Sequence, residues 1–231
     1  MNYSGMILAA GFGKRMLPLT KNIPKPLINI NEITLLDNAI NFLKQLNCKE
    51  IIINTHYKHL KILKHIENRK DKKIIKVIYE KEILDTGGAI KNIIQNIKNK
   101  DLIIVNSDIF WRKENLLDVK RLIYNYFIKK EPHLLLVNKH NSFGLNKILG
   151  DFILYNDKII RFVNGNPIFF YTGLQILNIE IFKNTLKNKF SINEIWDILI
   201  KENKLHGQIM NSKWYHVGDI HGLNIVKKLD T

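Results

Sequence analysis

The chain has 231 residues, and its 36 lysines and arginines outnumber its 21 aspartates and glutamates to give a formal net charge of +15 at pH 7. Hydrophobic residues make up 45% of it, enough for a core, while no apolar run reaches the roughly 20 residues of a membrane helix. The first residues, MNYSGM, lack the basic and apolar regions of a secretory signal. The single cysteine, Cys48, has no internal disulfide partner, which is usual in a reducing compartment. We therefore expect a cytoplasmic globular protein.

The positive charge has two interpretations. It can indicate an anionic partner, such as nucleic acid, a membrane surface or a phosphorylated metabolite. It can also be a bias of composition, because lysine, isoleucine and asparagine are abundant throughout. The lysines are spread over segments such as KHLKILKHIENRKDKK (58–73) rather than gathered in a stripe with aromatic residues. We therefore expect neither nucleic acid nor a membrane as a partner.

The first half of the chain alternates strands with helices. Strands are predicted at 5–10, 50–54, 74–79 and 102–108, and helices at 34–46, 56–68, from about Gly88 onward, and at 116–130. In the helix at 34–46 apolar residues recur every three or four positions, and Thr34 offers an N-cap. This alternation is typical of a mostly parallel sheet covered by helices on both faces.

The second half is richer in strands. Segments 133–139, 150–156, 158–165 and 167–177 are predicted as strands, with turns at Asn156-Asp157 and Asn164-Gly165-Asn166. Helices are predicted at 193–201 and 219–229. The change falls near 131–145 without a Pro/Gly/Ser linker, so we expect one domain over 1–231 with two lobes, 1–130 and 131–231.

The loop after the first strand carries the strongest chemical signal. GFGKRM, at 11–16, places two glycines directly after a strand, where free backbone N–H groups can cradle an anion. It lacks the spacing of a Walker loop and the third glycine of a Rossmann fingerprint. Lys14 and Arg15 follow where a polyphosphate would lie. Two prolines flank Lys25, so we expect this lysine on stiff, extended backbone, where a fixed cation can stabilise charge developing on phosphorus.

These residues resemble a known family. MILAAGFGKRMLPLTKNIPKPLINI, at 6–30, is similar to the signature of the sugar-1-phosphate nucleotidylyltransferases. The similarity continues in DTGGAI (85–90), NSD (106–108), Thr172-Gly173 and WYHVGD (214–219), and so spans almost the whole chain. Length and motifs together are most similar to the N-acetylmuramate-1-phosphate uridylyltransferase branch, with single-domain mannose-1-phosphate guanylyltransferases as close relatives. The resemblance implies an α/β fold: a Rossmann-like, mixed, mostly parallel sheet between helices (nucleotide-diphospho-sugar transferase, GT-A-like), with a β-rich sugar-binding lobe.

The resemblance also implies a reaction and its residues. The phosphate of a sugar 1-phosphate attacks the α-phosphorus of a nucleoside triphosphate, and pyrophosphate leaves. Lys25, Arg15 and Asp108 are the expected catalytic residues, with Asp108 holding Mg²⁺. The expected nucleotide contacts are Leu8, Ala9, Ala10, Gly11, Gly13, Lys14, Arg15, Lys25, Glu80 and Gly88, and the expected sugar contacts are Asn106, Asp151, Thr172 and Gly173. UTP with N-acetylmuramate 1-phosphate, a reaction of cell-wall recycling, is the leading substrate pair, and GTP with mannose 1-phosphate is the alternative. A monomer or homodimer is expected.

One position departs from the family pattern. His216 stands where the family usually places an acid, the second metal ligand. Neutral imidazole is a poor ligand for Mg²⁺, which leaves three readings: His216 contacts phosphate or a metal-bound water, the ion is softer, such as Mn²⁺, or Asp219 reaches the metal. The same departure suits an alternative class, a nucleotide- or sugar-sensing module that kept the fold and lost catalysis.

Overall fold

The computed structural model describes residues 1–161 and 169–229. Its strands are β1 (Ser4–Leu8), β2 (Asn29–Ile30), β3 (Ile33–Thr34), β4 (Ile51–Thr55), β5 (Ile75–Tyr79), β6 (Asp101–Asn106), β7 (Ile109–Phe110), β8 (His133–Asn138), β9 (Ser142–Phe143), β10 (Phe152–Tyr155), β11 (Lys158–Arg161), β12 (Phe169–Asn178), β13 (His206–Ile209) and β14 (Trp214–His216). Its helices are α1 (Leu35–Gln45), α2 (His59–Glu67), α3 (Asp85–Ile93), α4 (Asn115–Lys129), α5 (Ile192–Lys201) and α6 (Ile220–Lys227). Among these, no helix is both long and apolar enough to cross a membrane.

Among the described residues, nine strands form the main sheet, in the order β10-β11-β13-β8-β12-β6-β1-β4-β5. Strands β6, β1, β4 and β5 are parallel neighbours. Strand β12 lies antiparallel between β6 and β8, so both halves of the chain share this sheet. The predicted mixed α/β sheet is confirmed, with parallel pairing concentrated in the first half and antiparallel pairing in the second.

Helices cover both faces of the sheet. Residues of α1, α2 and α4 pack with Ile7 of β1 in one core, and residues of α3 and α5 pack with Met6 in the other. Alternate residues of a strand point to opposite faces, so neighbouring positions feed the two cores. The predicted helix at 34–46 is found as α1, and the Thr34 hydroxyl accepts the Asp37 N–H at 2.9 Å, as expected of an N-cap.

A third core fixes the geometry beside the first loop. Strand β14 pairs with β7 and β9 in a small sheet, and its Tyr215 packs with Leu223 and Val226 of α6. Met16, from the loop after β1, is fully buried in the same core. This packing brings the second half of the chain against the loop. It also places His216 opposite Ile109, the residue that follows Asp108 in the sequence.

The structure corrects several boundaries. Helix α3 begins at Asp85 rather than near Gly88, and the predicted helix at 56–68 begins only at His59, because Lys58 is left-handed (φ 51°). Strand β13 was not predicted. The predicted turn Asn164-Gly165-Asn166, the end of the strand at 158–165 and the start of the strand at 167–177 lie outside the described residues.

The proline segment is also not extended as predicted. Residues 14–16, 19–21 and 25–27 each form a short 3₁₀ turn, and in the last of these the Leu27 N–H donates to the Pro24 carbonyl at 2.9 Å. The φ of proline, near −65°, fits a 3₁₀ turn as well as an extended chain. Pro26 also lies in the first positions of its turn, where a backbone N–H would have no partner within the turn, so the missing N–H costs no hydrogen bond.

Candidate active site

A cleft of about 330 Å³ lies at the carboxyl ends of β1 and β6, the edge at which open α/β sheets bind ligands. We call it the central cleft. It brings together nine of the predicted site residues: Leu8, Ala9, Gly11, Gly13, Lys14, Arg15, Lys25, Asn106 and Asp108. Asn106 and Asp108 are two residues apart at the end of β6, and the other seven come from β1 and the loops that follow it.

The glycine loop closes onto the lysine segment. Gly13 has φ +65°, and a Cβ there would come within 3.0 Å of the Cβ of Lys25 and the methyl group of Thr20. The Thr20 hydroxyl donates to the Gly13 carbonyl at 2.9 Å. Only glycine combines this left-handed backbone with so close an approach. The loop and Lys25 are therefore held as one unit.

Lys25 and Asp108 form an ion pair at the cleft. Lys25 is 8% exposed, and its Nζ donates to Asp108 Oδ2 at 2.9 Å and to the Gly218 carbonyl at 3.4 Å. Burial alone would raise the pKa of Asp108, but the Lys25 ammonium and the nearby His216 ring lower it far below its usual range. The carboxylate is therefore ionised at neutral pH, and the ammonium is fixed in place before any ligand arrives.

Lys14 and Arg15 differ from Lys25 in that both are exposed. Neither forms an ion pair with a residue that the structure describes; the Lys14 ammonium lies 5.6 Å from the centre of the Phe12 ring. Two cations without an ion-pair partner, next to the backbone of the glycine loop, are suited to an anionic group that carries several charges.

His216 lies beside Asp108 in a tight slot. Its Nε2 is 3.6 Å from Asp108 Oδ2, its ring stacks on Trp214 with 5.6 Å between centroids, and a side chain on Gly218 would overlap the ring. His216 Nδ1 is buried and has no hydrogen-bond partner among the described residues. The structure thus brings the two predicted metal residues together.

Both carboxylate oxygens of Asp219 already have partners. Its Oδ1 caps α6 by accepting the Gly222 N–H at 3.0 Å, and its Oδ2 accepts from Asn146 at 3.1 Å. Within residues 1–161 and 169–229, no three His, Cys, Asp or Glu side chains are grouped as a metal site. A metal ion at Asp108 would therefore take most of its ligands from phosphates or water, as Mg²⁺ often does.

A second pocket of about 330 Å³ adjoins the central cleft and shares Leu8, Thr86 and Asn106 with it. The predicted sugar residue Asp151 lines it, and its carboxylate accepts the Tyr171 N–H at 3.0 Å and pairs with Lys147. Arg161 also lines this pocket, together with four residues that sequence reasoning missed: Tyr171, Gln175, Asn193 and Trp196. These five residues lie on three elements, β11, β12 and α5, and no motif links them.

Two predicted sugar residues, Thr172 and Gly173, do not line this pocket. Thr172 is fully buried, and its hydroxyl donates to the Leu135 carbonyl at 2.9 Å, so it lines neither cavity. Gly173 has φ +82°, and a Cβ there would lie 3.0 Å from the Asn106 side chain. Its role in the structure is to leave room for Asn106.

A third pocket of about 210 Å³ contains Ala10, Asn54 and the predicted nucleotide residue Glu80. Asn54 links two of its walls, because it donates to Glu80 Oε1 at 2.7 Å and accepts the Ala9 N–H at 3.0 Å. Burial raises the pKa of Glu80. Gly88 lies outside all three cavities: its N–H donates to the Phe190 carbonyl at 3.1 Å, and a Cβ there would collide with the Asn188 carbonyl. Packing against 188–190 accounts for this glycine.

The family model described as "Nucleotidyl transferase" matches residues 4–230. The chain belongs to the nucleotidyl transferase family. Over 221 residues it is 28% identical to N-acetylmuramate alpha-1-phosphate uridylyltransferase of Caulobacter vibrioides, covering 93% of this chain and 91% of the relative. Over 222 residues it is 28% identical to D-glycero-alpha-D-manno-heptose 1-phosphate guanylyltransferase of Campylobacter jejuni, covering 92% and 93%.

Solved structures of nucleotidyl transferases share the fold. HddC from Yersinia pseudotuberculosis, complexed with GMP-PN, superposes with a TM-score of 0.79 at 22% identity, covering 98% of each chain. An apo UDP-glucose pyrophosphorylase superposes with a TM-score of 0.78 at 17% identity, covering 98% of this chain and 97% of that one. The predicted fold class, family and enzyme class, a sugar-1-phosphate nucleotidylyltransferase, are confirmed.

Proposed function

We propose that this enzyme joins a nucleoside triphosphate to a sugar 1-phosphate, with release of pyrophosphate, at the junction of the three cavities. The observation that carries the proposal is the Lys25–Asp108 ion pair, which lines the central cleft together with the glycine loop. In this arrangement the base occupies the third pocket, the phosphates lie in the central cleft and the sugar occupies the second pocket. Leu8 and Thr86 line all three cavities and separate these groups.

The chain's own groups act mainly by position and charge. An oxygen of the sugar phosphate forms a bond to the α-phosphorus while the bond to the leaving pyrophosphate breaks. The Lys25 ammonium, already fixed by Asp108, stabilises the charge that builds on the α-phosphate without reorganising. Lys14 and Arg15, exposed and unneutralised, bind the β- and γ-phosphates that leave. Holding both substrates in line supplies most of the remaining rate enhancement.

A divalent cation fits beside Asp108. An ionised carboxylate suits Mg²⁺, which is usually bound by one or two carboxylates together with substrate phosphates. When bound, the ion would neutralise phosphate charge. The His216 ring adds a nitrogen near the same carboxylate, which suits Mn²⁺ better than Mg²⁺.

Two substrate pairs are candidates. The first is UTP with N-acetylmuramate 1-phosphate, as in peptidoglycan recycling; it draws support from the Caulobacter relative and from Arg161, a cation at the second pocket that could meet a lactyl carboxylate. The second is GTP with mannose 1-phosphate, supported by a mannose-1-phosphate guanyltransferase of Gibberella zeae that is 29% identical over 227 residues but 60% covered by them. We further propose that residues 1–130 bind the nucleotide and that residues 131–231 bind the sugar. We also propose that the enzyme is a monomer or a homodimer.

A pyrophosphate-release matrix tests the proposal. It crosses the nucleoside triphosphates with the 1-phosphates of N-acetylmuramate, N-acetylglucosamine, mannose and glucose, in Mg²⁺ and in Mn²⁺. We expect release that requires both substrates and a divalent cation. Tight nucleotide binding without release in any combination would contradict catalysis and favour the sensing module instead.

A further inference from the structure

The second pocket has an aromatic floor. The Trp196 ring lies edge-on to the Phe152 ring at 5.8 Å and to the Tyr171 ring at 4.9 Å. All three residues line the pocket, and Phe152 and Trp196 are 1% and 4% exposed. A surface of this kind is suited to an apolar group of a ligand, because a polar group placed there would lose its hydrogen bonds to water without replacement.

Gln175 adds a fixed hydrogen-bond donor to this floor. Its Oε1 accepts the Trp196 Nε1–H at 3.0 Å. An indole N–H can only donate, so the amide oxygen must face Trp196 and the NH₂ group must face away from it. The side chain lines the pocket at 1% exposure, and no residue in the described part of the chain accepts from its NH₂ group.

The Tyr171 hydroxyl adds a second group that can donate at this pocket. It has no hydrogen-bond partner among the described residues, and burial raises its pKa. The Asp151 carboxylate, which could have been a competing acceptor, already binds the Tyr171 N–H and Lys147. The pocket thus offers donors beside an apolar surface.

We propose that Gln175 is a specificity-determining residue that selects a sugar 1-phosphate carrying an acetamido substituent. The acetamido carbonyl accepts from Gln175 Nε2, and the acetamido methyl group packs on the floor formed by Phe152, Tyr171 and Trp196. A hydroxyl at the same carbon has neither the acetamido carbonyl nor the methyl group and leaves the aromatic floor uncovered. The inference rests on the proposed function, since it assigns the sugar to the second pocket.

Two substrates that differ at a single carbon test the proposal. N-Acetylglucosamine 1-phosphate carries an acetamido group where glucose 1-phosphate carries a hydroxyl. We expect kcat/KM to be at least about tenfold higher for the acetamido sugar, mainly through KM, which corresponds to about 1.4 kcal/mol. Equal or better use of glucose 1-phosphate overturns the assignment while leaving the transfer reaction in place.

Two variants test the residue itself. Gln175→Glu keeps the acceptor for Trp196 but turns a carboxylate oxygen toward the acetamido carbonyl, and Gln175→Met removes the donors at similar volume. Both are expected to reduce the preference to about twofold or less, mainly by raising KM for the acetamido sugar. The matched control is Gln208→Met, because Gln208 is a buried glutamine bound to Asn125 and Asp118 outside the three cavities. Unchanged preference in a folded Gln175→Met protein overturns the role of Gln175.

Binding measurements keep this test separate from the transfer reaction. Calorimetry measures the affinity for each of the two sugar phosphates in the presence of a non-hydrolysable nucleoside triphosphate. If no pyrophosphate is released with any substrate, the proposed function fails, and tighter binding of the acetamido sugar still supports the assignment. Equal binding of the two sugars contradicts it.

Discussion

The central cleft and the second pocket differ in whether their key hydrogen-bond donors already have partners in the protein. In the central cleft, Lys25 is already paired with Asp108 and bound to the Gly218 carbonyl. In the second pocket, the NH₂ group of Gln175 and the hydroxyl of Tyr171 lack partners among the described residues. The first arrangement is preorganised for phosphate chemistry, which every substrate of the family shares. The second leaves hydrogen bonds open for the part of the substrate that differs between relatives.

The largest expected effect comes from the paired side of this comparison. Lys25→Ala removes the cation at the α-phosphate and leaves Asp108 uncompensated, so we expect kcat to fall by about 10²–10³-fold. Steady-state pyrophosphate release measures it. Lys21→Ala is the matched control, since Lys21 is an exposed lysine of the same loop that lines none of the three cavities. Similar losses in both variants, or none in either, would contradict the role of Lys25.

A smaller effect, on stability and on KM, is expected from a change beside Asn106, where the central cleft meets the second pocket. Gly173→Ala places a Cβ at φ +82° and within 3.0 Å of Asn106, so we expect the free energy of unfolding to fall by about 1–2 kcal/mol. Because Asn106 lines both cavities, KM for the sugar phosphate is expected to rise more than KM for the nucleotide. Urea denaturation and substrate titrations measure the two effects. A rise in nucleotide KM alone would place Asn106 on the nucleotide side.

The smallest expected effect concerns the metal. His216→Asp replaces the imidazole beside Asp108 with a hard oxygen ligand, so we expect the ratio of activity in Mg²⁺ to activity in Mn²⁺ to rise by about tenfold. Electron paramagnetic resonance of Mn²⁺, titrated with each protein, measures binding independently of turnover. If His216→Asp and His216→Ala both leave the ratio and the Mn²⁺ affinity unchanged, His216 has no role toward the metal.

The difference between the central cleft and the second pocket also explains why the sequence predicted the residues of the cleft but not those of the pocket. The loop residues and Lys25 lie in one stretch with special backbone demands, and Asp108 ends an apolar strand, so both signals are local. Gln175 sits within a buried strand, and Trp196 sits on a helix with ordinary apolar spacing; only the packing of β12 against α5 shows that they meet. Gly88 and Thr172 lie in motifs that resemble the family's, yet neither lines the three cavities: Gly88 packs against Asn188, and the Thr172 hydroxyl donates to the Leu135 carbonyl.

Strand β13 shows the same limit for the fold. Its sequence, HGQI, has one aliphatic residue and no strand pattern of its own. It is a strand because β8 and β11 pair with it on both sides. Pairings between distant segments of this kind are not encoded by a local period of apolar residues.

The most direct test is the stoichiometry of the products with the wild-type enzyme. Mass spectrometry would quantify nucleotide sugar against pyrophosphate when the best pair from the substrate matrix is supplied with a divalent cation. The two adjoining cavities predict one nucleotide sugar for each pyrophosphate, and neither product when the sugar phosphate is omitted. Pyrophosphate formed without sugar phosphate, or without a matching nucleotide sugar, would contradict a transfer site shared by the central cleft and the second pocket.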